Sequence, residues 1–221
     1  MRFQDAAQDA RAVTYAAIQA EPVVAQAAGL LADASPDQRL LARAVMNGQT
    51  LDADGWRTMF PTLFGLSVEP AVREQSEAVL TVSLAIADRG DQTRNQLRGA
   101  LVEELTAELL GRRIEAAGVR RERRILFDGV RAEIHPYDVT VERSGAAEAY
   151  DCKWGARGIN ADVLYQLEDA RAHAEAEGEM LRVALVVFDA ELSCRVRLDR
   201  QTAAHDHTGL VALESLGSLS G

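Results

Sequence analysis

The sequence predicts an α/β protein: a mixed sheet flanked by helices, preceded by an all-helical N-terminal region. Three observations lead there. Residues 1 to about 90 repeat apolar positions at helical spacing, the texture changes near Thr93, and short segments beyond it alternate with period two. Placing the boundary at that change gives a helical accessory region, 1–90, and a second domain, 91–221.

In the first region "DAAQDARAVTYAAIQA", "PVVAQAAGLLADA" and "SPDQRLLARAVMNG" are each amphipathic at helical period, and Ser35 before Pro36 is a helix start. The polar stretch "NGQTLDADGW" breaks the pattern, and "PAVREQSEAVLTVSLAIADRG" restores it as a longer helix. A helix-turn-helix over 35–63 would need a basic recognition helix, which is missing, so this region reads as a packing or partner-binding module.

The second region opens with the helix "TRNQLRGALVEELTAELLGRR". Strands are predicted at 123–127, 134–142, 148–154, 182–188 and 193–198, with the helix "NADVLYQLEDARAHAEAEG" between the third and fourth.

Composition narrows the function classes. Apolar residues make up 48% and charged residues 26%, the proportions of a folded globular chain. The longest apolar runs, such as "RVALVVFD", fall far short of the roughly 20 residues of a membrane-spanning helix. The first residues carry charges where a secretory signal needs an unbroken apolar core, so a cytoplasmic protein with no membrane partner is expected. Cys152 and Cys194 sit in apolar surroundings and read as reduced buried thiols. A formal charge of −10 repels nucleic acid as a whole, so any contact with it must be local. Between Gly111 and Arg124 six arginines stand against Glu115 and Glu122, a basic edge of that kind.

The chemistry concentrates in two strands. In "EIHPYDVTVE" alternation sets Tyr137, Val139 and Val141 on one face and Pro136, Asp138 and Thr140 on the other. In "AYDCKWG" it groups Tyr150, Cys152 and Trp154, leaving Asp151 and Lys153 together on the opposite face. Paired as a hairpin across "RSGAAE", these strands bring two carboxylates and a lysine to one patch. Oxygen donors of this kind suit Mg²⁺ or Mn²⁺, with the Cys152 backbone carbonyl as a further ligand. Lys153 is the only lysine among 24 basic side chains. Arginine stays protonated, whereas a lysine beside a cation and partly buried can have its pKa lowered and orient or deprotonate water. The bland alternative is an exposed hairpin face with a weak salt bridge. His205 and His207 lie in a polar tail without a carboxylate pattern and stay outside the site.

"PYD" followed by "DCK" after a short hairpin resembles the D…(D/E)XK motif of the PD-(D/E)XK nuclease superfamily. Upstream, "LRGALVEELTAELL" is similar to the first core helix of Holliday-junction-resolvase-like and Mrr-like members, with Gly99 and Glu103 at the matching spacing. Downstream, the "YQ" of "DVLYQLEDA" resembles their glutamine-bearing helix and puts Gln166 near substrate. The resemblance covers residues 94 to 190. Two departures stand out: Tyr137 separates Pro136 from Asp138, and the middle acid is aspartate where glutamate is commoner.

The resemblance implies a restriction-endonuclease-like fold and a Mg²⁺- or Mn²⁺-dependent endodeoxyribonuclease. In it Asp138, Asp151 and Glu103 hold the metal and Lys153 positions or activates water. Arg112, Arg113, Arg120, Arg121 and Arg123 then hold DNA phosphates, and a homodimer or a larger complex is the expected assembly. The alternative is a catalytically inactive nuclease-fold subunit that serves as a binding or structural module.

Overall fold

The computed structural model describes residues 1–6, 10–48, 51–114, 118–128, 130–131, 135–143, 146–202 and 205–221, except the side chains of 11, 130 and 131. Residue 134 of the strand predicted at 134–142 and residues 144–145 of the hairpin turn after it lie outside that set. The chain forms two compact units, Val13–Leu105 and a second made of Met1–Ala12 with Thr106–Gly221.

The first unit is helical. It holds most of α1 (Ala10–Gln19), then α2 (Pro22–Ala32), α3 (Pro36–Met46), α4 (Ala53–Met59), α5 (Pro61–Phe64), α6 (Pro70–Ala87) and the first part of α7 (Asp91–Arg113). Ser35 starts α3 with a capping box: its hydroxyl accepts the Gln38 N–H while the Gln38 side chain accepts the Ser35 N–H. Buried Arg39 donates from Nε to the Leu31 carbonyl and from an Nη to that of Ala32, satisfying groups that the end of α2 leaves open.

The second unit is a mixed sheet with helices against it. In chain order it contains β1 (Arg2–Asp5), the end of α7, β2 (Val119–Phe127), β3 (Val130–Arg131), β4 (Tyr137–Val141) and β5 (Ala147–Lys153). There follow α8 (Ala161–Ala176), β6 (Leu181–Val187), α9 (Glu191–Leu198) and β7 (Gly209–Val211). The spatial order is β1-β2-β4-β5-β6-β7, with β3 pairing on β2. Pairing is antiparallel from β1 to β5 and parallel from β5 to β7. Ala147, Ala149, Val183, Leu185 and Val187 pack under α8 with Leu164, Leu167, Ala170 and Ala174. On the other side the Cys152 thiol meets the Thr106 hydroxyl of α7 at 3.5 Å.

Three elements depart from the sequence reading. Residues 2–5 are a strand, so the N-terminal region is not all helical: the short segment RFQD adds to the edge of β2 and Asp5 ion-pairs with Arg123. Residues 193–198 are helical, because "LSCRVRL" also fits period 3.6. Cys194 and Leu198, one turn apart, pack inward, and Arg195 pairs with Glu191 along the outer face. The strand 209–211 is too short to leave a pattern. Gly209 lets it lie close to β6, where a β-carbon would sit 3.2 Å from that of Ala184.

Candidate active site

Strand register assembles the acids. Val139 pairs with Tyr150 and Thr140 with Ala149, so one step further sets Asp138 opposite Asp151. On the other side Arg121 pairs with Val139 and Arg123 with Tyr137, which sets Glu122 opposite Asp138. Three carboxylates therefore stand in one row across β2, β4 and β5. Carboxylate oxygens of Glu122 and Asp138 lie within 4.8 Å of each other.

Glu122 adopts a left-handed backbone, φ 51°. A non-glycine residue there carries strain of about 1–3 kcal/mol, which the surrounding pairing must over-determine. Beyond this residue Ile125 and Phe127 join the cluster under α8, although unbroken alternation from Arg121 leads to the face of Val139. Tyr137, the partner of Arg123, also joins that cluster, contrary to the predicted grouping with Val139 and Val141.

Asp138, Asp151 and Lys153 line one open cavity of about 330 Å³, together with His135, Asp162 and Gln166. Asp138 accepts the backbone N–H of Cys152 at 2.6 Å. Asp151 is buried, 6% exposed, and ion-pairs with the Lys153 ammonium. Burial opposes the charge on Lys153, but the Asp151 and Asp138 carboxylates outweigh it and hold its pKa above the ordinary value. The lysine stem lies against the tight turn Ala156–Gly158: a β-carbon on Gly158 would come within 2.9 Å of Lys153 Cδ. That turn is anchored by buried Asp189, whose Oδ2 accepts the Ala156 N–H at 3.0 Å.

Gln166 has a defined task. It is 5% exposed, and its amide donates to the His135 carbonyl and accepts the His135 N–H, both at 3.0 Å. The Tyr137 hydroxyl adds a bond to the Gln166 carbonyl at 3.4 Å. These contacts tie the segment leading into β4 to α8, and Gln166 still borders the cavity.

Glu103 lies in the helical unit. It is 5% exposed, unlike exposed Glu108, and accepts the Tyr15 hydroxyl at 2.6 Å and the Gln19 amide at 2.7 Å. Gly99, one turn earlier, leaves room for that hydroxyl, which a β-carbon would approach to 3.1 Å. The spacing of Gly99 and Glu103 thus has a steric basis inside the unit.

The arginine run divides. Arg113 pairs with Glu148 at 2.7 Å, Arg123 with Glu142 at 2.6 Å and with Asp5, and Arg112 with Glu108 at 3.3 Å. Arg120 is exposed on β2 and Arg121 is half-buried. None of the five borders the cavity around Lys153. Cys152 and Cys194 are buried thiols outside any disulfide, as expected.

Two features were missed from sequence. Glu122 entered the sequence reading only as a charge, and its one signal is its position as the lone acid inside "RRERR". His135 carries no pattern beyond standing three residues before Asp138.

Searches of known protein families and of curated proteins returned no match to this chain. Among solved structures the chain is similar to one described as protein VC1899 from Vibrio cholerae, with a TM-score of 0.48 and 18% identity. The likeness covers 90% of this chain and 55% of that one, so this chain spans about half its length. Among the described residues no helix is long and apolar enough to cross a membrane.

Proposed function

We propose that this chain is a divalent-cation-dependent phosphodiesterase of the PD-(D/E)XK type that hydrolyses nucleic acid, DNA foremost, with Mg²⁺ or Mn²⁺. One observation carries the reading: Asp138, Asp151 and the only lysine in the chain border one cavity. The donor set fits such a cation, because hard carboxylate oxygens on adjacent strands outnumber the one ammonium beside them. Asp138 and Asp151 would hold it, with Glu122 beside Asp138 and the Cys152 carbonyl as the backbone oxygen. When bound, the cation would neutralise phosphate charge and acidify a coordinated water.

The chain's own groups do the rest. The cavity is negative without a cation, so a phosphodiester enters it only once the carboxylates are compensated. Lys153 brings a compact ammonium to the same place, suited to a phosphate oxygen in the transition state. Asp151 fixes the head of that side chain and Gly158 its stem. Exposed Arg120 would hold a phosphate outside the cavity.

A non-catalytic binding module of the same fold is the second reading. It is favoured by the commitment of Arg113 and Arg123 to internal ion pairs, which leaves the basic edge weaker than its composition suggests. The test is incubation of plasmid, linear duplex and single-stranded DNA with the purified chain in Mg²⁺ and in Mn²⁺, beside Asp138→Asn and Lys153→Ala. Metal-dependent cleavage abolished by both substitutions is expected. No cleavage of any substrate, from protein that binds neither cation, refutes the proposal.

A further inference from the structure

We infer that His135 is the residue that protonates the leaving oxygen in the reaction proposed above; the inference rests on that reading of the site. Among the described residues bordering the cavity, Lys153 and His135 carry the basic nitrogens. The Lys153 ammonium is already engaged by Asp151. Among the described residues no arginine borders the cavity, and arginine does not give up its proton in any case. An imidazole is the group whose proton exchanges readily near neutral pH. His135 is exposed, so its ring is open to an incoming ligand.

Its backbone, by contrast, is held firmly. Both polar atoms of the buried Gln166 amide bond the His135 N–H and carbonyl at 3.0 Å, and Pro136 follows directly. The clamp that ties this segment to α8 also fixes the backbone from which the exposed His135 side chain extends at the border of the cavity.

The step balances as follows. A water oxygen forms a bond to phosphorus while the bond from phosphorus to the departing sugar oxygen breaks. The departing oxygen keeps the bonding pair and takes the imidazolium proton. The proton displaced from the attacking water passes to solvent, and solvent recharges the imidazole. The products are a phosphomonoester and an alcohol.

The test compares leaving groups. A sugar alkoxide departs poorly without a proton, whereas p-nitrophenolate departs without one. Full-length wild type, His135→Ala and His135→Gln are assayed in Mn²⁺ on duplex DNA and on thymidine 5′-(p-nitrophenyl) phosphate. Both substitutions are expected to lower DNA cleavage by about 100-fold, the lower range for a general acid, and to lower cleavage of the nitrophenyl ester far less. The clamp from Gln166 involves only the backbone of residue 135, so both variants keep it. Equal losses on the two substrates, no loss on either, or recovery of DNA cleavage by glutamine overturns the inference while leaving a nuclease. Wild-type protein that cleaves neither substrate overturns the inference together with the nuclease reading.

Discussion

Asp138 accepts the backbone N–H of Cys152 at 2.6 Å, so the acid that opens the motif is bonded to the residue between its other two members. The bond orients the carboxylate. Asparagine retains an acceptor for that N–H, whereas alanine does not. Asp138→Asn is therefore expected to keep the unfolding free energy within about 1 kcal/mol, and Asp138→Ala to lose about 1–3 kcal/mol for an unsatisfied donor. Both should weaken Mn²⁺ binding at least tenfold, as removal of a charged ligand does. Urea unfolding and calorimetric metal titration on the same preparations check the two parts. Undiminished Mn²⁺ affinity in both variants removes Asp138 from the metal site.

In the helical unit Glu103, Tyr15 and Gly99 form a coupled set, and a double-mutant cycle reads the coupling. Tyr15→Phe removes a donor to a buried carboxylate and should destabilise by about 1.5–3 kcal/mol. Gly99→Ala normally stabilises a helix by about 1 kcal/mol, but here the new methyl presses on the Tyr15 hydroxyl. Alanine at 99 should thus gain stability only in the Tyr15→Phe background. Equal effects of Gly99→Ala in both backgrounds would contradict the steric account.

Legibility followed periodicity and spacing. The helix that became α7, the strands that became β4, β5 and β6, and the grouping of Asp138, Asp151 and Lys153 were readable because alternation fixes the face and a two-residue spacing keeps Asp151 and Lys153 together. Glu122 was not readable, since its place opposite Asp138 depends on pairing between strands separated in the chain, and its left-handed backbone leaves no mark on a glutamate. The clamp from Gln166 on His135 was unreadable for a similar reason: a long-range bond of this kind looks, in sequence, like any polar helix position. Residues 193–198 failed because their alternation is equally a one-turn helical pair, Cys194 and Leu198. The arginine run was readable as charge, but its partners Asp5 and Glu148 arrive from other strands and Glu142 from just past the end of β4.

Acid sensitivity should be traceable to Glu148. Burial pushes its pKa up, but hydrogen bonds from Tyr150 and Arg113 outweigh burial and hold it below the ordinary carboxylate range. A carboxylate depressed in the folded state contributes stability that is present above its unfolded value, about 4.3 for glutamate, and is lost as pH falls through the folded one. Glu148→Gln should therefore be less stable than wild type at pH 7, and the gap should narrow as the pH is lowered from about 5 toward 3. Urea unfolding at stepped pH measures it. A gap that widens on acidification reverses the assigned sign.

Lys153 separates a catalytic site from a charge-balanced hairpin most sharply. Its head is paired with Asp151, its stem is seated against Gly158, and its side chain is 26% exposed. Arginine shares the Cβ–Cδ stem that lies against Gly158 and preserves the positive charge, but it replaces a compact ammonium with a planar fork. If Lys153 only balances Asp138 and Asp151, Lys153→Arg should keep stability within about 1 kcal/mol and preserve any activity. If Lys153 acts on the phosphate or on the attacking water, Lys153→Arg should lose nearly as much turnover as Lys153→Ala, at least about 100-fold. Gly158→Ala should move in the same direction with a smaller loss, because it displaces the stem while leaving the amine in place. Mn²⁺ affinity measured on all three variants separates a displaced amine from an expelled cation, since only the latter weakens binding. The expected result is retained Mn²⁺ binding with cleavage lost in Lys153→Arg. Full cleavage by that variant rules out a catalytic role for the only lysine in the chain.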